Sequence, residues 1–177
     1  MTIDMDPTND MPYLVSPDGR FVALLTGTTL NLVQLTSQTA KQLTSAIDAR
    51  RWAPYAWSRD SRLLAYAEVG AGGRAQIVVY DVASGSTTPI LESGGNGFYA
   101  GLNWTPDGGW LLYAFHPRGN RLEEDASYEA INVYTGERSV LFREGLGLQL
   151  SHDGRRVVFT RTADPADRGT WVATINF

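Results

Sequence analysis

Four short segments of this chain repeat one pattern, Ser16-Pro17-Asp18-Gly19, Ser58-Arg59-Asp60-Ser61, Thr105-Pro106-Asp107-Gly108 and Ser151-His152-Asp153-Gly154. They begin 42, 47 and 46 residues apart. A recurrence of that period is the mark of stacked supersecondary units, and its length suits a four-stranded blade. Each copy is also a turn by its own chemistry. Pro pre-sets the first central φ, Asp accepts backbone N–H groups, and Gly takes the positive φ that closes a hairpin. The four aspartates therefore read as scaffold rather than as metal ligands. The second copy has neither Pro nor Gly, and is expected to be the least sharply turned.

Apolar segments flank every turn. Tyr13–Val15, Tyr55–Trp57, Leu102–Trp104 and Leu148–Leu150 precede them as first strands. Phe21–Leu25, Leu63–Ala67, Trp110–Ala114 and Val157–Thr160 follow, apolar on both alternating faces, as strands covered on both sides are. Third strands are expected over Leu30–Leu35, Gln76–Val82, Ala130–Tyr134 and Thr170–Ile175. Fourth strands follow at Lys41–Thr44, Thr87–Leu91 and Arg138–Phe142. The last unit reaches Phe177 without one.

The fold class expected is all-β, a propeller of about four antiparallel blades over 13–44, 55–91, 102–142 and 148–177, after a tail at 1–12. The chain of 177 residues has 43% apolar and 19% charged residues, ordinary values for a folded domain. A net charge of −4 provides no broad surplus for phosphates, so sequence-independent nucleic-acid binding is not expected. Lys41 is the single lysine among fifteen basic residues, a bias toward planar, forked hydrogen bonding. No cysteine is present, which removes disulfides and thiolate chemistry. Residues 1–12 carry Asp4, Asp6 and Asp10 and no apolar run, so neither a signal peptide nor membrane insertion is expected; the compartment stays open, cytoplasmic for the chain as written and periplasmic if a leader has been trimmed from it.

Ala56-Trp57-Ser58 and Asn103-Trp104-Thr105-Pro106-Asp107-Gly108, supported by Val79-Tyr80-Asp81-Val82, resemble the TolB-like, or WD40-like PD40, propeller repeat. That repeat is an aromatic strand, a Ser-Pro-Asp-Gly turn and an apolar strand, and the likeness runs from about Tyr13 to the end. True WD40 repeats match less well, because the Gly-His and Trp-Asp dipeptides are missing. The resemblance implies a propeller and no single function, since such blades occur in a periplasmic Tol–Pal component and in gating domains of peptidases. It also implies a ring of six or more blades, so four would need completion. The alternatives are a closed four-bladed ring, two arcs pairing as a homodimer, or further blades in a longer parent chain. Thr2-Ile3-Asp4-Met5 alternates in polarity and could supply the fourth strand of the last blade, with Pro7 ending it.

Chain parity in a four-stranded meander puts the Asp turns at one end and the longer, more varied connections at the other. Binding residues concentrate on such loops. The candidates there are Arg50, Arg51 and Trp52; Asn96, Phe98 and Tyr99; His116, Arg118 and Arg121; and Asp164, Asp167 and Arg168. Aromatics interleaved with arginines anchor protein or peptide partners well. Glu123-Glu124-Asp125 reads as a solvated acidic loop, because consecutive carboxylates in extended chain do not converge on a cation. Gly70–Gly73 and Gly94–Gly97 read as hairpin loops, with no helix to present to a phosphate.

Enzyme chemistry is not expected. A Gly-x-Ser-x-Gly elbow is missing, and His116 and His152 fall at opposite ends by the parity rule. The expected function is a non-catalytic scaffold for a protein or peptide, without a cofactor. The alternatives are a gating or regulatory propeller within a larger enzyme, and a small-ligand or calcium site in the central channel, where Asn103 and Gln149 are the main polar groups of the inner strands.

Overall fold

The computed structural model describes residues 13–47, 53–117, 126–143, 145–161, 166 and 168–177, with the side chain of residue 146 excepted. Among the described residues fifteen strands form four antiparallel sheets. Blade 1 is β1 (Tyr13–Val15), β2 (Phe21–Thr26), β3 (Thr29–Gln34) and β4 (Thr39–Thr44). Blade 2 is β5 (Tyr55–Trp57), β6 (Leu63–Val69), β7 (Ala75–Asp81) and β8 (Ser86–Glu92). Blade 3 is β9 (Gly97–Trp104), β10 (Trp110–Pro117), β11 (Ser127–Asn132) and β12 (Arg138–Arg143), and blade 4 is β13 (Gly145–Leu150), β14 (Arg156–Arg161) and β15 (Gly169–Thr174). Strands pair in chain order within every sheet, so each blade is a meander. Among the described residues blade 4 has three strands, and the proposed closing strand at Thr2–Met5 lies outside them.

The blades stack through three apolar layers. Ala23, Leu25, Leu30 and Leu32 of blade 1 meet Trp57, Leu64, Tyr66 and Val78 of blade 2. The opposite face of blade 2, with Leu63, Ala65, Ile77 and Val79, meets Trp104, Leu111, Tyr113 and Ile131 of blade 3. Leu112, Tyr128 and Phe142 then meet Leu148, Val157 and Phe159 of blade 4, where the Phe142 and Phe159 rings stack at 3.9 Å. Alternate residues of β6 and β10 thus face different neighbours, which is why these strands are apolar on both faces. Strand β14 departs from that expectation. Its Val157 and Phe159 are buried, but Val158 is 38% exposed and its partner Val172 is 63% exposed. Among the described residues no apolar layer joins blade 4 to blade 1.

At the hub the inner strands are tied by two matching hydrogen bonds. The indole of Trp57 donates to the carbonyl of Leu14 in the preceding blade at 3.1 Å, and the indole of Trp104 donates to Ala56 at 3.0 Å. Donor and acceptor hold the same places in successive repeats, so the bond recurs with the blade. Leu150 occupies the tryptophan's place in blade 4 and has no N–H to offer Asn103. Farther out, Lys41 lies 4.7 Å over the Tyr80 ring and donates to Gly85 at 3.0 Å, clasping blades 1 and 2.

Removing the indole while keeping an aromatic ring should isolate this bond. Trp104→Phe is expected to cost about 1–2 kcal/mol, because the Ala56 carbonyl loses its donor and a small gap opens. Urea unfolding measures this, and an unchanged midpoint would mean the bond contributes nothing.

Candidate functional site

The Asp turns are built alike in all four blades. The first residue's hydroxyl donates to the aspartate at 2.7, 2.6, 2.6 and 2.6 Å in chain order. The same hydroxyl accepts the N–H of Phe21, Leu63, Trp110 or Arg156, which opens the next strand. Each aspartate also accepts the N–H of Arg20, Arg62, Gly109 or Arg155. The second turn is not looser than the rest. Ser61 takes φ +62°, close to Gly19 at +71°, and its N–H closes the turn on Ser58 at 2.9 Å. The Ser61 hydroxyl accepts the N–H of Asp18 at 2.9 Å, a brace between blades that glycine could not make.

These bonds favour the carboxylate form. The Ser16 hydroxyl, with the Arg20 N–H, holds Asp18 down to about 2. Asp60, Asp107 and Asp153 are likewise lowered, first by the hydroxyls of Ser58, Thr105 and Ser151.

The second position of each turn is Pro17, Arg59, Pro106 and His152. Here the repeat varies while its frame does not. Arg59 and His152 meet over Pro106, with guanidinium Nη2 3.3 Å from the imidazole Nε2, though 93 residues separate them. Beneath them is a groove of about 360 Å³, floored by Ala56, Trp57, Trp104 and Leu150 and edged by Asn103. The turns of blades 3 and 4 are in close register at this point, since a Cβ on Gly154 would fall 2.5 Å from Pro106 Cδ. Parity therefore holds, with His152 at the turn end and His116 at the other. What the sequence reading missed is that the side chains of two turns meet at the hub, and the exchange of Pro for Arg and His was the available signal.

At the opposite end, part of the expected cluster lies in strands. Phe98 and Tyr99 belong to β9 and His116 to β10, because that ladder runs on to Gly97↔Pro117. A bulge at Gly101, φ +62°, lets it do so, with pairing shifted between Leu112 and Ala114. Tyr99 is 4% exposed and packs edge-on against Tyr113, so it is a core residue and not a surface anchor. Burial pushes its hydroxyl up to about 12. His116, also 4% exposed, lies flat under Phe98 with ring centroids 4.6 Å apart and planes within 6°. Phe98 is half-buried, while Asn96 and Arg168 are exposed. Arg50, Arg51, Trp52, Arg118, Arg121, Asp164 and Asp167 lie outside the described residues, as does Glu123–Asp125. Gly70–Gly73 forms a hairpin connection with a 3-10 turn at Ala71–Gly73, whereas Gly94–Gly97 leads from blade 2 into β9 and is no hairpin.

One buried carboxylate was not singled out from the sequence. Glu129, 8% exposed, accepts from Tyr113 Oη at 2.8 Å, Ser127 Oγ at 2.8 Å and Arg138 Nη2 at 2.6 Å. Burial raises its pKa, but these donors together outweigh burial and leave it lowered. A carboxylate so fully engaged braces the outer part of blade 3. Among the described residues no group of three His, Cys, Asp or Glu side chains could hold a metal, and no helix is long and apolar enough to cross a membrane.

No family model matches the chain, and no curated protein matches its sequence. Solved structures do resemble it. A protein solved as a TolB from Agrobacterium tumefaciens aligns at TM-score 0.62 and 18% identity, over 92% of this chain and 57% of its own. The β-propeller domain of the Trilobed protease from Pyrococcus furiosus aligns at 0.66 and 13%, over 94% and 55%. Dipeptidyl peptidase 4 from Porphyromonas gingivalis aligns at 0.63 and 14%, over 84% and 29%. The chain therefore has a TolB-like β-propeller fold, and it spans little more than half the length of the first two neighbours.

The turn carboxylates set an acid limit. Each has a lowered pKa in the fold, so the stability it confers is present above the unfolded value of about 4 and lost as pH falls through the folded value. For Asp18 that value is about 2. Urea midpoints should hold from neutral pH to about pH 4 and fall below it, and replacing Asp18, Asp60, Asp107 and Asp153 by Asn should flatten that fall. An equally steep fall in the quadruple variant would remove the turns as its cause.

Proposed function

We propose that this chain is a non-catalytic propeller scaffold that binds a protein or peptide through the loop face opposite the Asp turns. The observation that carries the reading is the Phe98–His116 stack. Phe98 is half-exposed, and its ring is held parallel to a buried imidazole, beside exposed Asn96. An aromatic ring fixed before binding loses little conformational entropy when a partner covers it, which suits an anchor at an interface. Exposed Arg168 belongs to the same end by chain parity.

A second reading, a gating or regulatory propeller within a larger enzyme, is supported by coverage. This chain spans 29% of the dipeptidyl peptidase to which its fold is similar. The two readings share the same blades and differ in whether the bound partner is a separate protein or another domain.

Capture from an extract of the source cells, with wild type and Asn96→Ala/Phe98→Ala compared side by side, tests the face. A specific partner is expected to be retained by wild type and weakened by about tenfold or more in the variant. Melting temperatures should agree within about 3 °C, so that unfolding is not the cause. Equal retention by both proteins would overturn the assignment of this face.

A further inference from the structure

We propose a second binding site, for a carboxylate carried on an apolar body, in the hub groove at the turn end beneath Arg59 and His152. It goes beyond the scaffold reading, which uses the opposite face. The first argument is positional. Where the turns of blades 1 and 3 carry Pro17 and Pro106, those of blades 2 and 4 carry Arg59 and His152, and the two polar side chains converge to 3.3 Å. The turn frame does not require either residue, because all four turns make the same hydroxyl and aspartate bonds.

The second argument is chemical. Arg59 presents a planar fork of N–H groups, and its contact with His152 engages Nη2, leaving the other donors of the fork for a carboxylate. Asn103 adds an amide at the groove's edge. Trp57 and Trp104 spend their indole N–H groups on the neighbouring inner strand, so with Leu150 they offer the groove apolar surface. Asp60, Asp107 and Asp153 do not line it, and their carboxylates are engaged by their own turns. A guanidinium over an apolar floor selects an anion with an apolar body and repels a divalent cation. The volume, about 360 Å³, suits a small organic acid or the last residues of a peptide.

Titration calorimetry on the full chain tests this with three probes: 3-phenylpropionate, N-acetyl-Ala-Ala-Phe with a free C-terminal carboxylate, and the same peptide as its C-terminal amide. Saturable binding of the free-acid peptide is expected, with the amide weaker by about tenfold or more. Binding of 3-phenylpropionate as well would identify free small acids as ligands, and binding of the peptide acid alone would identify a peptide C-terminus. Arg59→Pro/His152→Pro, which copies the turns of blades 1 and 3, should lose about tenfold or more in affinity. Arg59→Gln, which keeps the length and removes the charge, serves the same purpose should the double variant not fold. Phe98→Ala should bind all three probes as wild type does, so failure here is separable from failure at the loop face. No saturable binding of either acid at roughly millimolar concentration, or equal affinity for acid and amide, would overturn the proposal. So would undiminished binding by a folded Arg59 variant.

Discussion

The hub of this structure is held by an indole N–H donated across each of its first two blade junctions, Trp57 to Leu14 and Trp104 to Ala56. Everything outward depends on that spacing. With the inner strands fixed against each other, β6 and β10 can bury both faces, and the three apolar layers between blades follow. At the third junction Leu150 stands where a tryptophan would be, and the contact relies on apolar packing and the Phe142–Phe159 stack. The indole donor is missing there, and the groove lined by Asn103, Trp104 and Leu150 lies at the same junction.

The turns illustrate how a repeat can be rigid and still variable. Hydroxyl, aspartate and backbone bonds close within each turn, so the residue between them is released from structural duty. Proline fills that position in two blades. Arginine and histidine fill it in the other two, and their side chains meet. The binding chemistry proposed for the hub thus depends on a frame that does not change from blade to blade.

Local chemistry was legible in the sequence, and chemistry between distant residues was not. The four turns could be read because every bond in them spans at most five residues. Ser61 was misjudged as a loose turn because its compensating bond goes to Asp18 in another blade. Tyr99 and His116 were placed on loops because nothing local announces that β9 and β10 continue past the Gly101 bulge, which carries Tyr99 into the layer against blade 2. Glu129 escaped notice since its partners Tyr113 and Arg138 lie 16 and 9 residues away. Tryptophans 57 and 104 marked the repeat, but their acceptors could be known only once the blades were stacked.

The most direct test of the account is the exchange rate of the tryptophan indole protons, followed by NMR in deuterated buffer. Trp57 and Trp104 are expected to exchange slowly, protected together, because both indoles are buried and bonded across blades. Trp171, exposed on β15, should exchange much faster. Exchange of Trp57 and Trp104 at the rate of Trp171 would contradict a hub tied by these bonds.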